Sequence, residues 1–379
     1  MPTPSRVGTV PAHASRAVRG PAVLLARAML LLGVAALPIG FNAWIDPARL
    51  VAPRQAEREI ARVLATGTNV TSFANYDDRA IEKHRAPMRA RPEVLVLGSS
   101  RMQVFRGFRG SEVRGSATAF VNGAMQGGVL DDMLGVYGLY DAPDRRPRRV
   151  LLGVDPWTES ARGEGWRSVA EERAMVMRRA GIAASPGRES IALWARSVRT
   201  LATPEYFRLA LYSFRRHGTR GIAWQATERA QNAEKTKMPD GSVTWSSVPE
   251  DDAGRAAREF ALRGIQHDAR FRDLDARAAG RKDALERFVR YAQQSGVSVT
   301  IVLVPFPAEV YDAFARMPGR SVRDVERDLR ALAARTGSRV AGSYDPRRAG
   351  VVTREFFDET HLRPHALARV LSVGRSRDP

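Results

Sequence analysis

Two short stretches of this 379-residue chain hold residue types suited to nucleophilic chemistry. The first is VLVLGSSRMQ, 94–103, where four aliphatic residues precede Gly98, Ser99 and Ser100. Such a run reads as a buried strand, so the chain leaves a sheet at Gly98 with a hydroxyl directly behind it. Ligands of parallel α/β sheets gather at the carboxyl ends of strands. Gly98 permits a tight exit, and the backbone after it is expected to open a helix whose amides face a developing negative charge. A lone Gly-Ser-Ser is also an ordinary turn.

The second stretch is FFDETHLRPHAL, 356–367. Asp358 and His361 stand three apart, in a strand-to-helix loop ahead of Pro364, a favourable first helical residue. There the carboxylate can bond one imidazole nitrogen and leave the other free to take a serine proton. Most of the six histidines (13, 84, 217, 267, 361 and 365) lack such a neighbourhood. Two other uses compete. Asp358 can simply cap a turn, or Asp358, His361 and His365 can form a D-x-x-H-x-x-x-H metal set. The metal set needs both imidazoles on one helical face, which Pro364 between them opposes. Neither a metal nor a cofactor is expected.

The elements that must position these residues follow a helix-then-strand rhythm. Strands are expected at 94–97, 118–121, 150–154, 297–304 and 339–341, each short and aliphatic or β-branched. The clearest helices span 283–294, with Gly296 as a stop, and 321–335, with Ser321 and Asp324 as a capping box and Gly337 as its end. Repetition of that order implies a mostly parallel sheet with helices on both faces, a three-layer α/β sandwich. The region 158–278 lacks sheet periodicity and reads as a large helical insertion. It carries Trp166, Trp194, Trp224 and Trp245, which either stack on sugar rings or serve as core. Its MPDGSVTW segment has an Asp-Gly hairpin signal.

The N-terminus divides differently. Residues 1–20 form a basic tail with Arg6, Arg16 and Arg19 and no acid, and 21–45 carries one charge, Arg27, and is otherwise almost wholly apolar. As a helix, 28–45 would reach about 27 Å, close to the hydrocarbon thickness of a bilayer. The pattern reads as a retained signal-anchor, with the tail cytoplasmic and the rest extracytoplasmic, in an inner membrane crossed once. Residues 46–90 read as a juxtamembrane linker with a short amphipathic helix, and the α/β domain as 91–379.

Composition restricts the chemistry further. There is no cysteine, which excludes disulfides, thiolate catalysis and Cys-zinc sites. Net charge is +19, from 56 arginines and four lysines (83, 235, 237 and 282) against 41 acids. That balance favours anionic glycans, lipid headgroups or nucleic acid, or is only a codon-biased surface. No zinc-finger spacing, RNP-type motif or long basic run supports nucleic acid, and none is expected as a partner.

The glycine-serine turn after the first strand, the C-terminal D-x-x-H and the α/β order between them resemble the SGNH/GDSL hydrolase superfamily. The resemblance covers roughly 90–379, with the insertion unmatched. It implies Ser100 as nucleophile, His361 as base and Asp358 as its orienting acid, with Ser99 in place of the aspartate of G-D-S. The G-S-S form resembles the branch acting on envelope polymers, which includes alginate O-acetyltransferases and the D-alanine transfer protein of teichoic acid synthesis. VNGAMQGG follows the second strand as the family's second block does, which matches Asn122 to its asparagine and Gly127 to its oxyanion-hole glycine. The third block departs: G-x-N-D is replaced by LLGVDPW, so Val154 or Asp155 stands where the family has an oxyanion-donating asparagine. The hole would then rest on the Ser100 and Gly127 amides, or borrow Arg101 or Asn122, while Asp155, and Arg101 if not so used, would serve structure or substrate. Losing one donor typically costs about 10²- to 10³-fold in turnover.

These implications combine into one expectation: a membrane-anchored serine acyltransferase or esterase, O-acetyl by preference, working on an envelope polysaccharide beside a membrane-bound O-acyltransferase. The competing expectation is a non-catalytic scaffold of the same shape that binds glycan.

Overall fold

The computed structural model describes residues 19–47, 55–72, 76–106, 120–159, 168–183, 199–218, 224–230, 234–245, 250–265, 268, 274, 282–319 and 321–372. The N-terminal basic tail up to residue 18, Trp166 and Trp194 lie outside them.

The apolar N-terminal stretch forms one helix, Arg19–Ile45, and its Val23–Ile45 part is long and apolar enough to cross a membrane, with a mean hydropathy of 2.1. Leu24, Leu30 and Leu37 on it are largely exposed. Among the described residues, its last turn docks on protein. Asn42 Nδ2 donates to the Leu201 carbonyl at 2.7 Å, and Phe41 packs edge-on against Phe207 and Phe214 of helix Pro204–His217.

The central sheet is five-stranded and wholly parallel, in the order β3 (Phe120–Asn122), β2 (Val94–Leu97), β4 (Arg149–Gly153), β8 (Ser298–Leu303), β9 (Arg339–Gly342). Period-two alternation sends Leu95, Leu97, Val150, Leu152, Ile301 and Leu303 to one face. There they meet helices Leu130–Gly138, Lys282–Gln294, Ala308–Ala315 and Val322–Thr336. Val94, Val96, Leu151 and Val302 face the other way, onto Met102, Phe105, Leu362 and the terminal helix Leu367–Ser372. The molecule is therefore mixed α/β, and both sheet faces are covered, as near-continuous aliphatic strands require. Helix Val322–Thr336 starts and stops as its sequence dictates: Ser321 and Asp324 form the capping box, and Gly337 takes the left-handed C-terminal position at φ +65°.

Two expectations are corrected. The region 158–278 is not purely helical, because it supplies β5 (Trp224–Thr227), β6 (Lys235–Lys237) and β7 (Val243–Thr244). These join β1 (Asn69–Ser72) in a second, four-stranded sheet, β5-β1-β6-β7. Residues 46–90 are accordingly more than a linker. β1 pairs antiparallel with both β5 and β6, and helix Asp78–Arg85 is tied to the α/β body by Arg79 to Asp132 and Glu82 to Tyr140. The expected Asp-Gly turn is present, with Gly241 at φ +95° between β6 and β7.

Candidate active site

Strand order places the site. The chain runs from β2 to β3 on one side and then to β4 on the other, so a crevice opens beyond the carboxyl ends of β2 and β4. Gly98 turns out of β2 with φ +154°, and a Cβ there would overlap the Met102 side chain. The expected helix after it is a single 3-10 turn, Ser100–Met102, with Ser99 as its cap accepting from the Arg101 amide at 3.3 Å. One turn carries little dipole, so any anion stabilisation here rests on individual amides.

The two distant stretches meet at this turn. Ser100 Oγ lies 2.8 Å from His361 Nε2, across 261 positions of sequence, and His361 Nδ1 lies 2.6 Å from Asp358 Oδ2. Asp358 Oδ1 accepts the backbone amides of Thr360 and His361, each at 2.8 Å. Burial alone would raise the Asp358 pKa. The hydrogen bond and charge of His361, helped by those amides, more than offset it and hold the carboxyl below its ordinary value. An ionised Asp358 accepts from Nδ1, which leaves Nε2 with a lone pair facing the Ser100 hydroxyl. Both separations lie in the range for proton transfer.

His365 plays a different part. Its Nε2 is 3.3 Å from Glu355 Oε1, and its side chain is more than half exposed.

Arg101 and Asp155 both serve structure, one of the uses considered for them from sequence. Arg101 is buried, and every arm of its guanidinium is engaged: Nη1 with Asp155 Oδ1 at 2.6 Å, Nη2 with the Val304 and Pro305 carbonyls at 2.5 and 2.6 Å, Nε with the Thr360 carbonyl at 3.2 Å. The Phe306 ring lies 3.8 Å beneath it. It is not available as an oxyanion donor. Asp155 is neutralised by Arg101 and also accepts from the Ser99 hydroxyl, so its charge does not face Ser100 uncompensated. The third block thus braces the turn that carries Ser100.

Asn122 is corrected likewise. Its Nδ2 donates to the carbonyls of Met102, Gln103 and Phe105, and its Oδ1 accepts the Ala124 amide at 2.9 Å. The side chain bolts β3 to the serine turn and has no donor left for an oxyanion. Gly127 differs: it is exposed, at φ +61°, and its amide makes no hydrogen bond among the described residues. The loop bearing it is zipped to the serine turn by Gly123 N to the Val96 carbonyl (2.9 Å) and Met125 N to the Gly98 carbonyl (3.1 Å).

Sequence reasoning did not connect the second sheet to this site. Trp245, just beyond β7, stacks on His361 with ring centroids 4.6 Å apart, and Lys235 Nζ of β6 lies 5.2 Å from the same indole. The hairpin that carries them is anchored by Asn122 N to the Asp240 carbonyl (2.7 Å) and Val243 N to the Gln103 carbonyl (2.7 Å). The Asp-Gly turn was the sequence signal for this hairpin. Trp224, by contrast, packs against Ile60, Leu64, Val70 and Ile81, away from the triad.

No protein-family model matches the chain, and no curated protein matches its sequence.

Proposed function

We propose that the protein is a membrane-anchored, SGNH-like serine acyltransferase or esterase that moves an acyl group, acetyl by preference, onto or off hydroxyls of a cell-envelope polysaccharide. The observation carrying this reading is the Ser100–His361–Asp358 relay, closed by hydrogen bonds of 2.8 and 2.6 Å between segments far apart in sequence. Ser100 Oγ attacks the acyl carbonyl as Nε2 of His361 takes its proton. The tetrahedral oxyanion sits against the Ser100 and Gly127 amides. Nε2 then protonates the leaving oxygen, which departs and leaves an acyl-serine. An acceptor hydroxyl gives its proton to Nε2 and attacks in turn, and Ser100 is restored. Water or a sugar hydroxyl as acceptor distinguishes hydrolysis from transfer.

The N-terminal helix supports placing this chemistry at an inner membrane, with the α/β body on the extracytoplasmic side. A membrane-bound O-acyltransferase is the partner that would hand acyl groups across the bilayer. The test is hydrolysis of p-nitrophenyl acetate by the purified full chain, with and without an oligosaccharide acceptor. Turnover should fall about 10³-fold or more in Ser100→Ala. Turnover unaffected by that change would sink the proposal, and absence of any turnover would favour the scaffold reading.

A further inference from the structure

Two neighbouring residues of helix Asp78–Arg85 grip the backbone on either side of Gln126, the residue before Gly127. Asp78 Oδ2 accepts the Gln126 amide at 2.9 Å, and Arg79 Nη2 donates to the Gln126 carbonyl at 3.2 Å. Arg79 is buried and held by Asp132, with Nε to Oδ1 at 3.0 Å and Nη2 to Oδ2 at 2.9 Å. Asp78 Oδ2 also accepts Gln103 Nε2 at 2.8 Å, so one carboxylate spans from the serine turn to the Gly127 loop. The two loops lie close together: a Cβ on Gly128 would come within 2.7 Å of the Gly98 carbonyl.

This grip bears on the direction of the Gly127 amide. Gly128 N donates to the Met125 carbonyl at 3.2 Å, with negative φ at Gln126 and φ +61° at Gly127, which makes 125–128 a type II turn. Type I keeps the same end-to-end bond and differs chiefly by a flip of the central peptide, here 126–127. Glycine at position 127 accepts either form. The carbonyl and N–H of a trans peptide point in opposite directions, so a flip would reverse the Gly127 amide. Among the described residues the Gln126 carbonyl accepts from Arg79 alone.

We propose that Arg79 is a positioning residue for the oxyanion hole: by holding the Gln126 carbonyl, it keeps the 126–127 peptide in the orientation that presents the Gly127 amide to the oxyanion. The hole then depends on a helix that precedes the central sheet and follows the membrane helix in the chain. This inference rests on the reading of Ser100 as nucleophile and Gly127 as donor.

The test compares p-nitrophenyl acetate with its thiono analogue, in which the developing charge falls on sulfur, a weak hydrogen-bond acceptor. A working hole favours the oxygen ester, and loss of a donor shrinks that preference. The full chain carries Arg79→Met together with Asp132→Asn, so that no buried carboxylate is left unpaired. Asp132→Asn alone is the control that keeps the carbonyl grip. Thermal melting sets a temperature at which every variant is folded. In the double variant, kcat for the oxygen ester should fall about 10²-fold with little change in KM, and the preference should shrink about tenfold or more. Arg79→Lys, whose single head cannot hold both partners in the arginine's geometry, should shrink it less, and Asp132→Asn alone should retain it. A preference undiminished in the Arg79 variants, or equally diminished in the control, would overturn the assignment while leaving catalysis by Ser100 standing. A parent protein with no Ser100-dependent turnover of either ester would remove the reading of Ser100, and this assignment with it.

Discussion

Arg101, the residue after the proposed nucleophile Ser100, donates through Nε to the carbonyl of Thr360, the residue before His361. One buried side chain therefore ties the serine turn to the histidine loop. The same guanidinium holds Asp155 and the exit of β8, so four segments share one hub. Planarity and five fixed donors let arginine serve all these acceptors at once, which a lysine cannot.

Replacing Arg101 should therefore damage geometry before it damages binding. Arg101→Lys is expected to lower kcat for a small ester strongly with little change in KM, at temperatures where the variant is still folded. Arg101→Met should also lose stability by about 3–5 kcal/mol, because Asp155 is left buried and unpaired. Steady-state kinetics alongside thermal melting separates the two effects. A proportionate rise in KM with kcat intact would contradict the positioning role.

Gly98 and Gly127 should respond differently to alanine. Both have positive φ, but a Cβ on Gly98 would strike Met102, whereas nothing lies within 4 Å of one on Gly127. Gly127→Ala should cost only about 1–2 kcal/mol of backbone strain, and Gly98→Ala distinctly more. Comparing their unfolding midpoints in denaturant checks the order.

Asn122→Ala should behave as a structural lesion. Its amide holds three carbonyls of the serine turn, so activity and stability are expected to fall together, and kinetic loss should shrink as temperature is lowered. A large loss of kcat in a protein of unchanged melting temperature would instead return Asn122 to the oxyanion hole.

Asp358 predicts a specific acid response. Its folded pKa is depressed below the value of about 3.9 for an unfolded aspartate. Between those two values the unfolded chain binds more protons, so stability rises with pH there. The contribution is fully present above the unfolded value and is lost as pH falls through the folded one. Melting temperature followed from pH 6 to pH 3 should drop less in Asp358→Asn than in the parent protein.

Much of the site was legible because it is local. The strand Val94–Leu97 ends where its aliphatic run ends, and D-x-x-H places Asp358 and His361 on one loop without reference to any distant segment. The capping box at Ser321 is likewise a four-residue signal. The second sheet was not legible, since β1 and β5 to β7 are two to four residues long and β1 pairs with β5 and β6 across more than 150 positions. Strands that short carry no periodicity. Lys235 and Trp245 reach His361 through that sheet and its backbone bonds to Asn122 and Gln103, and the roles of Arg101 and Asn122 depend on carbonyls whose positions no side-chain pattern encodes.

The most direct test is to treat the full chain with a fluorophosphonate and locate the adduct by peptide mass spectrometry. The account predicts a single modification on Ser100, abolished by Ser100→Ala and greatly slowed by His361→Ala. An adduct on another serine, or a His361→Ala protein labelled as fast as the parent, would contradict it.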